Sequence, residues 1–182
     1  MKSLVGVAIA GTAVAAVVVI ATVYLIMNEG ADEGENANQD MIGLYAEYEV
    51  TDNVLDYAYT GTYKATVIDA NETYLLWKYE YDIMRYSLLM YESGIPVIIR
   101  RETFTEWVPI DDGGQAGTPG TETTISTPYF GDVKVIPYVN GKTTVYVGAD
   151  DGAVYRMTTQ ISQYSVFDLM IFNLKATNIP PT

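Results

Sequence analysis

The sequence predicts a single hydrophobic, transmembrane-type α-helix at the amino terminus followed by an all-β domain. We expect that domain to be an antiparallel sandwich, barrel or strongly curved sheet of about eight strands. Three observations lead to this fold class: residues 4–27 carry no charged side chain, apolar and polar residues alternate from Met41 onward, and turn-forming residues separate the alternating runs. The predicted organisation is a hydrophobic helix over 1–27, an acidic flexible linker over 28–40 and a β domain over 41–182.

The uncharged stretch is long enough to cross a membrane. A helix over residues 4–27 is about 36 Å long, and the hydrocarbon core of a bilayer is ~30 Å thick. Lys2 precedes the stretch, acidic residues follow it, and no further basic residue occurs before Lys64. The positive-inside rule therefore predicts a cytoplasmic amino terminus and a domain outside the cytoplasm. A cleaved signal peptide is the alternative, but its apolar region usually spans only about 7–15 residues, so we expect the helix to be retained.

Small residues dominate the first two-thirds of this helix. They recur at small-xxx-small spacings, which let helix backbones approach closely in an apolar medium. The residues predicted to mediate helix packing are Gly6, Ala8, Ala10, Gly11, Ala13 and Ala15. Two interpretations remain open: a plain single-span anchor, or a helix that packs against copies of itself or against partner helices.

The amino-terminal layout resembles that of archaeal type IV pilin-like and archaellin-like subunits. The resemblance rests on Lys2-Ser3-Leu4-Val5 and the long Val-, Ala-, Gly- and Ile-rich stretch that follows. It implies cleavage between Ser3 and Leu4, helices bundled in the core of an extracellular filament, and an outer β domain.

An acidic segment separates the helix from the domain. The only apolar side chains in residues 28–40 are those of alanines, which are too small to form a packed face. We therefore interpret the segment as a solvated spacer. The whole chain has a net charge of −13 at pH 7. This charge repels phosphate backbones and anionic headgroups, so we expect no nucleic-acid partner and membrane contact through the helix alone.

Alternation of period two dominates the β domain. Alternate residues from Tyr57 to Val67 share one predicted face of a strand, and those from Leu75 to Ile83 share the same kind of face in the next strand. Strands are predicted at 42–50, 57–68, 73–83, 95–108, 132–139, 142–148, 153–161 and 165–177. The segment Met84–Tyr91 either continues the third strand or forms a short helix. Residues 110–128 are rich in Gly, Pro and Thr, which predicts one long exposed loop.

Turn-forming residues occur between the predicted strands. Asn140-Gly141 is the strongest hairpin signal, because a type I′ turn needs positive φ at both central positions. The segment Thr143–Arg156 resembles the strand–turn–strand hairpin of exported lipoprotein-carrier-type half-barrels. That resemblance implies a curved sheet whose concave aromatic face holds an apolar ligand.

The composition removes most catalytic chemistries. The chain has no cysteine and no histidine, which excludes disulfides, thiol catalysis and zinc–thiolate sites and removes the commonest acid–base side chain. Acidic pairs remain as candidates by residue type alone, namely Asp111-Asp112, Asp150-Asp151, Glu102 and Glu106. We interpret the Asp pairs as turn residues and the two glutamates as a solvated strand face. We therefore predict no enzyme activity, no catalytic residue, no cofactor and no metal site.

An aromatic set on the second and third strands is the best binding candidate. It consists of Tyr57, Tyr59, Tyr63, Trp77, Tyr79 and Tyr81. Tyrosine and tryptophan dominate interface energetics, so these residues either line a ligand groove or protein contact, or form the core of the sheet. Asn71-Glu72-Thr73 is a glycosylation sequon if the domain is exported.

These expectations combine into a non-enzymatic, membrane-anchored cell-surface protein with a structural or adhesive role. We expect it to associate with itself or with other surface proteins as part of a larger assembly. The alternatives are a pilin-like filament subunit and an anchored module that binds a lipid or another apolar ligand.

Overall fold

A computed structural model describes residues 38–52, 57–87, 96–109, 117–160 and 169–179. The predicted amino-terminal helix, its packing residues Gly6, Ala8, Ala10, Gly11, Ala13 and Ala15, and most of the linker lie outside these residues.

The described chain is almost entirely β-structure. A short 3₁₀ helix spans Gln39–Met41. The first four strands are β1 (Tyr45–Asp52), β2 (Tyr57–Ala70), β3 (Tyr74–Ser87) and β4 (Pro96–Pro109). They are followed by β5 (Thr118–Pro119), β6 (Thr123–Thr127), β7 (Gly131–Asn140), β8 (Thr143–Gly148), β9 (Val154–Gln160) and β10 (Leu169–Thr177).

All ten strands belong to one antiparallel sheet. Its order is β4-β3-β2-β1-β10-β9-β8-β7-β5, and β6 pairs with β7 beside β5. The last strand, β10, therefore lies beside the first, which joins the β1–β4 half to the β7–β9 half. No ladder closes the ends of this order among the described strands, so the sheet is open.

One face of the sheet, here called the inner face, carries the core. The register places Tyr48 opposite Tyr63, and Tyr63 opposite Tyr81, so the apolar positions of β1, β2 and β3 lie on the same side. A single cluster joins buried side chains from β1–β4 with those from β8–β10, including Val145, Met157 and Phe172. An open, flat sheet would leave such side chains in water, so the sheet curves until its inner face packs against itself.

Direct contacts show how the two halves meet. The Tyr48 hydroxyl donates a hydrogen bond of 3.1 Å to the Val154 carbonyl, which links β1 to β9 across the intervening β10. The ring of Phe172 meets the ring of Tyr63 edge-on, with centroids 6.0 Å apart. Aromatic side chains therefore bridge the junction at β10.

The hairpin formed by β6 and β7, here called the outer hairpin, reaches across the opposite, outer face of the sheet. The Phe130 ring meets the Tyr155 ring of β9 at 5.3 Å, and Arg156 Nη2 donates to the Ser126 carbonyl at 2.6 Å. Desolvation, followed by the nearby carboxylate of Glu49 on β1, raises the pKa of the Tyr129 hydroxyl. The hairpin tip therefore covers parts of β9 and β1 on the side away from the core.

Several sequence predictions need correction. The sheet has ten strands rather than about eight, and its open order excludes a closed barrel within the described chain. The loop predicted at 110–128 was wrong where the structure describes it, because 118–119 and 123–127 pair with β7 as β5 and β6. Of the two options for Met84–Tyr91, strand is observed as far as Ser87. The remaining residues of that segment lie outside the described chain.

The hairpin at Asn140-Gly141 exists, but its turn differs from the predicted one. Asn140 pairs with Thr143, so the two central residues are Gly141 and Lys142 rather than Asn140 and Gly141. Gly141 has φ of 59°, whereas Lys142 has no positive φ. A type I′ turn needs positive φ at both positions, so this turn is not of that type.

The described chain begins against the β2–β3 turn. Asn38 Nδ2 donates to the Asn71 carbonyl at 2.9 Å, and Gln39 Nε2 donates to the Ala70 carbonyl at 2.8 Å. Asn38 and Gln39 of the predicted linker therefore contact the domain, and the chain enters at this end of the sheet.

Candidate functional site

The aromatic set lies on the inner face, where its members contact one another. The rings of Tyr63 and Tyr81 stack at 4.7 Å, and the planes of Trp77 and Tyr79 lie 3° from parallel at 6.4 Å. Tyr59 is also buried on this face. Tyr57 begins β2, paired with Ser87 in the backbone register, and its side chain is outside the described part.

Burial controls the chemistry of these tyrosines. Tyr63 is 1% exposed and Tyr79 is 1% exposed, and removal from water raises the pKa of each hydroxyl well above its usual value. Both hydroxyls are therefore neutral at physiological pH. They can donate or accept hydrogen bonds, but they do not act as bases. Their observed role is packing; the prediction that this set binds a ligand or partner stays a prediction.

Trp77 carries an unusual buried donor. Its Nε1 is shielded from water and makes no hydrogen bond within the described part of the chain. A buried N–H without a partner costs about 1–3 kcal/mol. The side chain is therefore held there by the apolar contacts of its ring, including the stack on Tyr79.

Two acidic residues share the inner side of β4 with this aromatic cluster. Glu102 pairs with Tyr81 and Glu106 pairs with Trp77 in the register of β3 and β4. Both glutamates are exposed, as expected for a solvated strand, but their position beside the aromatic rings was missed by the sequence analysis. The only sequence signal is that Glu102, Phe104 and Glu106 occupy every second position, which predicts that they share one face of the strand.

The aspartate candidates are only partly described. Asp151 accepts a hydrogen bond from the Ala153 N–H at 3.0 Å and another from the Tyr155 hydroxyl at 2.5 Å. It thus stabilises the β8–β9 turn, as the sequence predicted. Asp111 and Asp112 lie outside the described residues.

The outer face of β1–β3 forms a shallow charged groove. Its volume is about 350 Å³, and it is lined by Glu47, Thr62, Lys64, Glu80, Tyr81 and Asp82. Ion pairs bound this region: Lys175 to Glu47 at 2.9 Å, Lys78 to Glu80 at 2.9 Å and Arg101 to Asp82 at 3.0 Å. Such exposed pairs contribute little to stability, because water and salt screen them.

An exposed apolar patch occupies the same outer face at the end where the chain enters. This base patch consists of Ile68, Tyr74, Leu76 and Trp107, on the adjacent strands β2, β3 and β4. Ile68, Tyr74 and Trp107 are 40–45% exposed, and Leu76 pairs with Trp107 in the sheet register. The sequence alone does not predict this patch, because only the register brings the four residues together.

Asn71, the predicted glycosylation site, lies at the β2–β3 turn. Its side-chain oxygen accepts hydrogen bonds from the backbone N–H groups of Thr73 at 2.9 Å and Tyr74 at 2.8 Å. The residue is exposed, so the sequon is sterically open.

Neither a metal centre nor a membrane-spanning helix occurs within residues 38–52, 57–87, 96–109, 117–160 and 169–179. In these ranges no three or more acidic, histidine or cysteine side chains are grouped in a way that would hold a metal ion. Within the same ranges no helix has the length and hydrophobicity needed to span a bilayer.

Comparison of the chain with known protein families found no matching family, and a search of curated proteins found no match either.

Proposed function

We propose that the protein is a non-enzymatic cell-surface protein, held by its amino-terminal hydrophobic segment, that serves a structural or adhesive role in a larger assembly. The membrane attachment and orientation are supported by the uncharged residues 4–27 and by the charge asymmetry around them. The assembly is supported by the outer edge of β4, with which none of the described strands pairs.

The β4 edge is the observation that carries the proposal. This strand is 14 residues long, β3 occupies one of its edges, and none of the described strands pairs with the other. An unpaired edge presents a row of N–H and C=O groups that can pair with a strand from another chain. From Arg101 to Pro109 the pairing with β3 is regular, so this part of β4 is straight enough to template such a strand along its other edge.

The two alternatives receive less support. The inner aromatic face is filled by its own side chains, because Tyr63, Tyr79 and Ile83 are among the fully buried residues, which leaves little space for a ligand. The pilin-like filament differs from the proposal in requiring cleavage between Ser3 and Leu4, and it rests on the amino-terminal sequence alone.

Edge pairing between two copies is testable by cross-linking, since the native chain contains no cysteine. Thr103 is an exposed residue near the middle of β4, and Thr60 is an exposed residue of β2, which is paired on both sides. We expect Thr103→Cys in the membrane-inserted full chain to form covalent dimers with a short bis-maleimide, and Thr60→Cys to remain monomeric. Equal yields from the two variants, or none from Thr103→Cys, would contradict assembly through β4.

A further inference from the structure

The base patch is an exposed apolar surface on the outer face of the sheet. Trp107 and Tyr74 lie on neighbouring strands and project onto the outer face. Leu76 is opposite Trp107 in the register, and Ile68 lies at the bulge of β2. The inner face of the same three strands is already filled by the core. This second apolar surface is therefore not used for packing by the described part of the domain.

The chain enters the domain beside this patch. Asn38 and Gln39 bond to the backbone of Asn71 and Ala70, which lie between Ile68 and Tyr74. Ten residues, 28–37, separate this point from the apolar stretch 4–27. Even a fully extended chain of that length spans at most about 35 Å.

We propose that the base patch lies in the interfacial layer of the membrane, with Tyr74 and Trp107 at headgroup level and Ile68 and Leu76 beside the acyl chains. This inference rests on the proposed function, in which residues 4–27 hold the protein in the bilayer. It adds a second contact, made by the folded domain, that fixes the orientation of the sheet on the membrane.

The chemistry of the patch suits uncharged lipids. Tyrosine and tryptophan are enriched at membrane–water interfaces because each has an apolar ring and a polar group. The patch itself contains no basic residue, and the exposed acids Asp40, Asp69 and Glu72 lie near it. Lys78, the next residue on the outer face of β3, is paired with Glu80. Anionic headgroups would be repelled by these acids, whereas zwitterionic headgroups would not.

The same charges argue against a second copy of the chain as the occupant. Two base patches placed face to face would bring Asp40, Asp69 and Glu72 of both copies together. Like charges in contact disfavour such a pair, particularly in a chain with a net charge of −13. A neutral lipid surface meets no such repulsion.

The test uses the full chain reconstituted into phosphatidylcholine vesicles, with one spin label at Ile68→Cys in one sample and at Val139→Cys in another. Both positions are exposed, and Val139 lies beside the β7–β8 turn at the opposite end of the sheet. Oxygen concentrates in lipid, whereas a nickel chelate stays in water. We expect the ratio of oxygen accessibility to nickel-chelate accessibility to be severalfold higher for the label at position 68 than for the label at position 139. The difference should shrink in vesicles of anionic lipid.

The outcomes separate this inference from the proposed function. If the chain does not float with the vesicles, the membrane attachment itself is wrong. If it floats but both labels are equally exposed to the aqueous reagent, the attachment stands and the base contact is wrong. Concentration-dependent spin–spin broadening at position 68 would instead identify a second copy as the occupant and overturn the proposal.

A paired substitution tests the aromatic residues directly. We expect Trp107→Ser with Tyr74→Ser to lower the lipid accessibility of the label at 68, while Phe130→Ser, an equally exposed ring in the outer hairpin, leaves it unchanged. A glycan on Asn71 of the native protein, detected by mass, would also overturn the proposal, because a sugar chain beside Tyr74 would hold this surface away from lipid.

Discussion

Gly61 occupies a position in β2 where a side chain has no room. A Cβ built there would lie 2.8 Å from Ile83 Cα and would also strike the Asp82 carbonyl oxygen of β3. Its φ of 152° is also unfavourable for residues with a side chain. We predict that Gly61→Ala lowers the free energy of unfolding by about 2–3 kcal/mol, measured by urea denaturation of the full chain.

Gly141 provides the matched control for this substitution. It also has positive φ, but no atom lies within 4 Å of a Cβ built there. Gly141→Ala should therefore cost only the backbone strain, about 1–2 kcal/mol. A loss at Gly141 equal to the loss at Gly61 would show that the close approach of β2 to β3 contributes nothing.

Tyr155 links stability to alkaline pH. Partial burial, followed by the hydrogen bond to Asp151 and the charge of that carboxylate, raises the pKa of Tyr155 from 10.0 to about 12. A folded-state pKa above the unfolded value gives stability that is complete below pH 10 and is lost as pH rises through about 12. We predict that the stability difference between the native chain and Tyr155→Phe shrinks between pH 10 and pH 12.

Urea midpoints measured at a series of pH values check this prediction. The other buried tyrosines have raised pKa values as well, so both proteins should lose stability in this range, and only the difference between them reports on Tyr155. Tyr74→Phe, which alters an exposed ring, is the control. A pH-independent difference for Tyr155→Phe would contradict the account.

At the scale of elements, the part of the outer hairpin before Val135 lies beyond the pairing of β7 with β8, and side-chain contacts hold its tip to the sheet. The Phe130 ring against Tyr155 and the Arg156 bond to the Ser126 carbonyl join it to β9. We predict that Phe130→Ala increases amide hydrogen exchange in residues 123–135 and leaves β2 and β3 protected. Tyr74→Ala, which removes another exposed ring, should leave the hairpin unchanged, and exchange that rises uniformly in Phe130→Ala would show that the hairpin does not open separately.

The long central strands were predictable from the sequence because burial on one face enforces a period of two. The alternation from Leu75 to Ile83 gave both the strand and its buried side, as the structure confirms. β6 was missed because its residues, Thr123–Thr127, are mostly exposed and carry no apolar alternation. Its pairing with β7 comes from backbone hydrogen bonds, which leave no pattern in such a segment.

The candidate sites were predictable only where they lie along single strands. The aromatic set follows from the alternation in β2 and β3, although the sequence left open whether these rings form a binding surface or the core. The positions of Glu106 beside Trp77 and of Trp107 beside Leu76 depend on the register of β4, which includes a bulge between Ile83 and Met84. That register is set by long-range pairing, so the sequence alone did not reveal it.

At the scale of the molecule, we propose that the curved, open sheet lies outside the cytoplasm, with its chain entry toward the membrane. We propose that the acidic surface faces solvent, that the edge of β4 with which no described strand pairs contacts other subunits, and that the base patch contacts lipid. The proposed cell-surface role depends on the domain lying outside the cytoplasm, so the side of the membrane on which it lies is the central claim.

Labelling of Val139→Cys on intact cells with a membrane-impermeant maleimide tests that claim most directly. Val139 is 48% exposed and lies at the end of the sheet away from the chain entry, and the native chain, which contains no cysteine, gives the background. If the domain lies outside the cytoplasm, we expect intact cells to be labelled as fully as lysed cells. Labelling that appears only after lysis would contradict it.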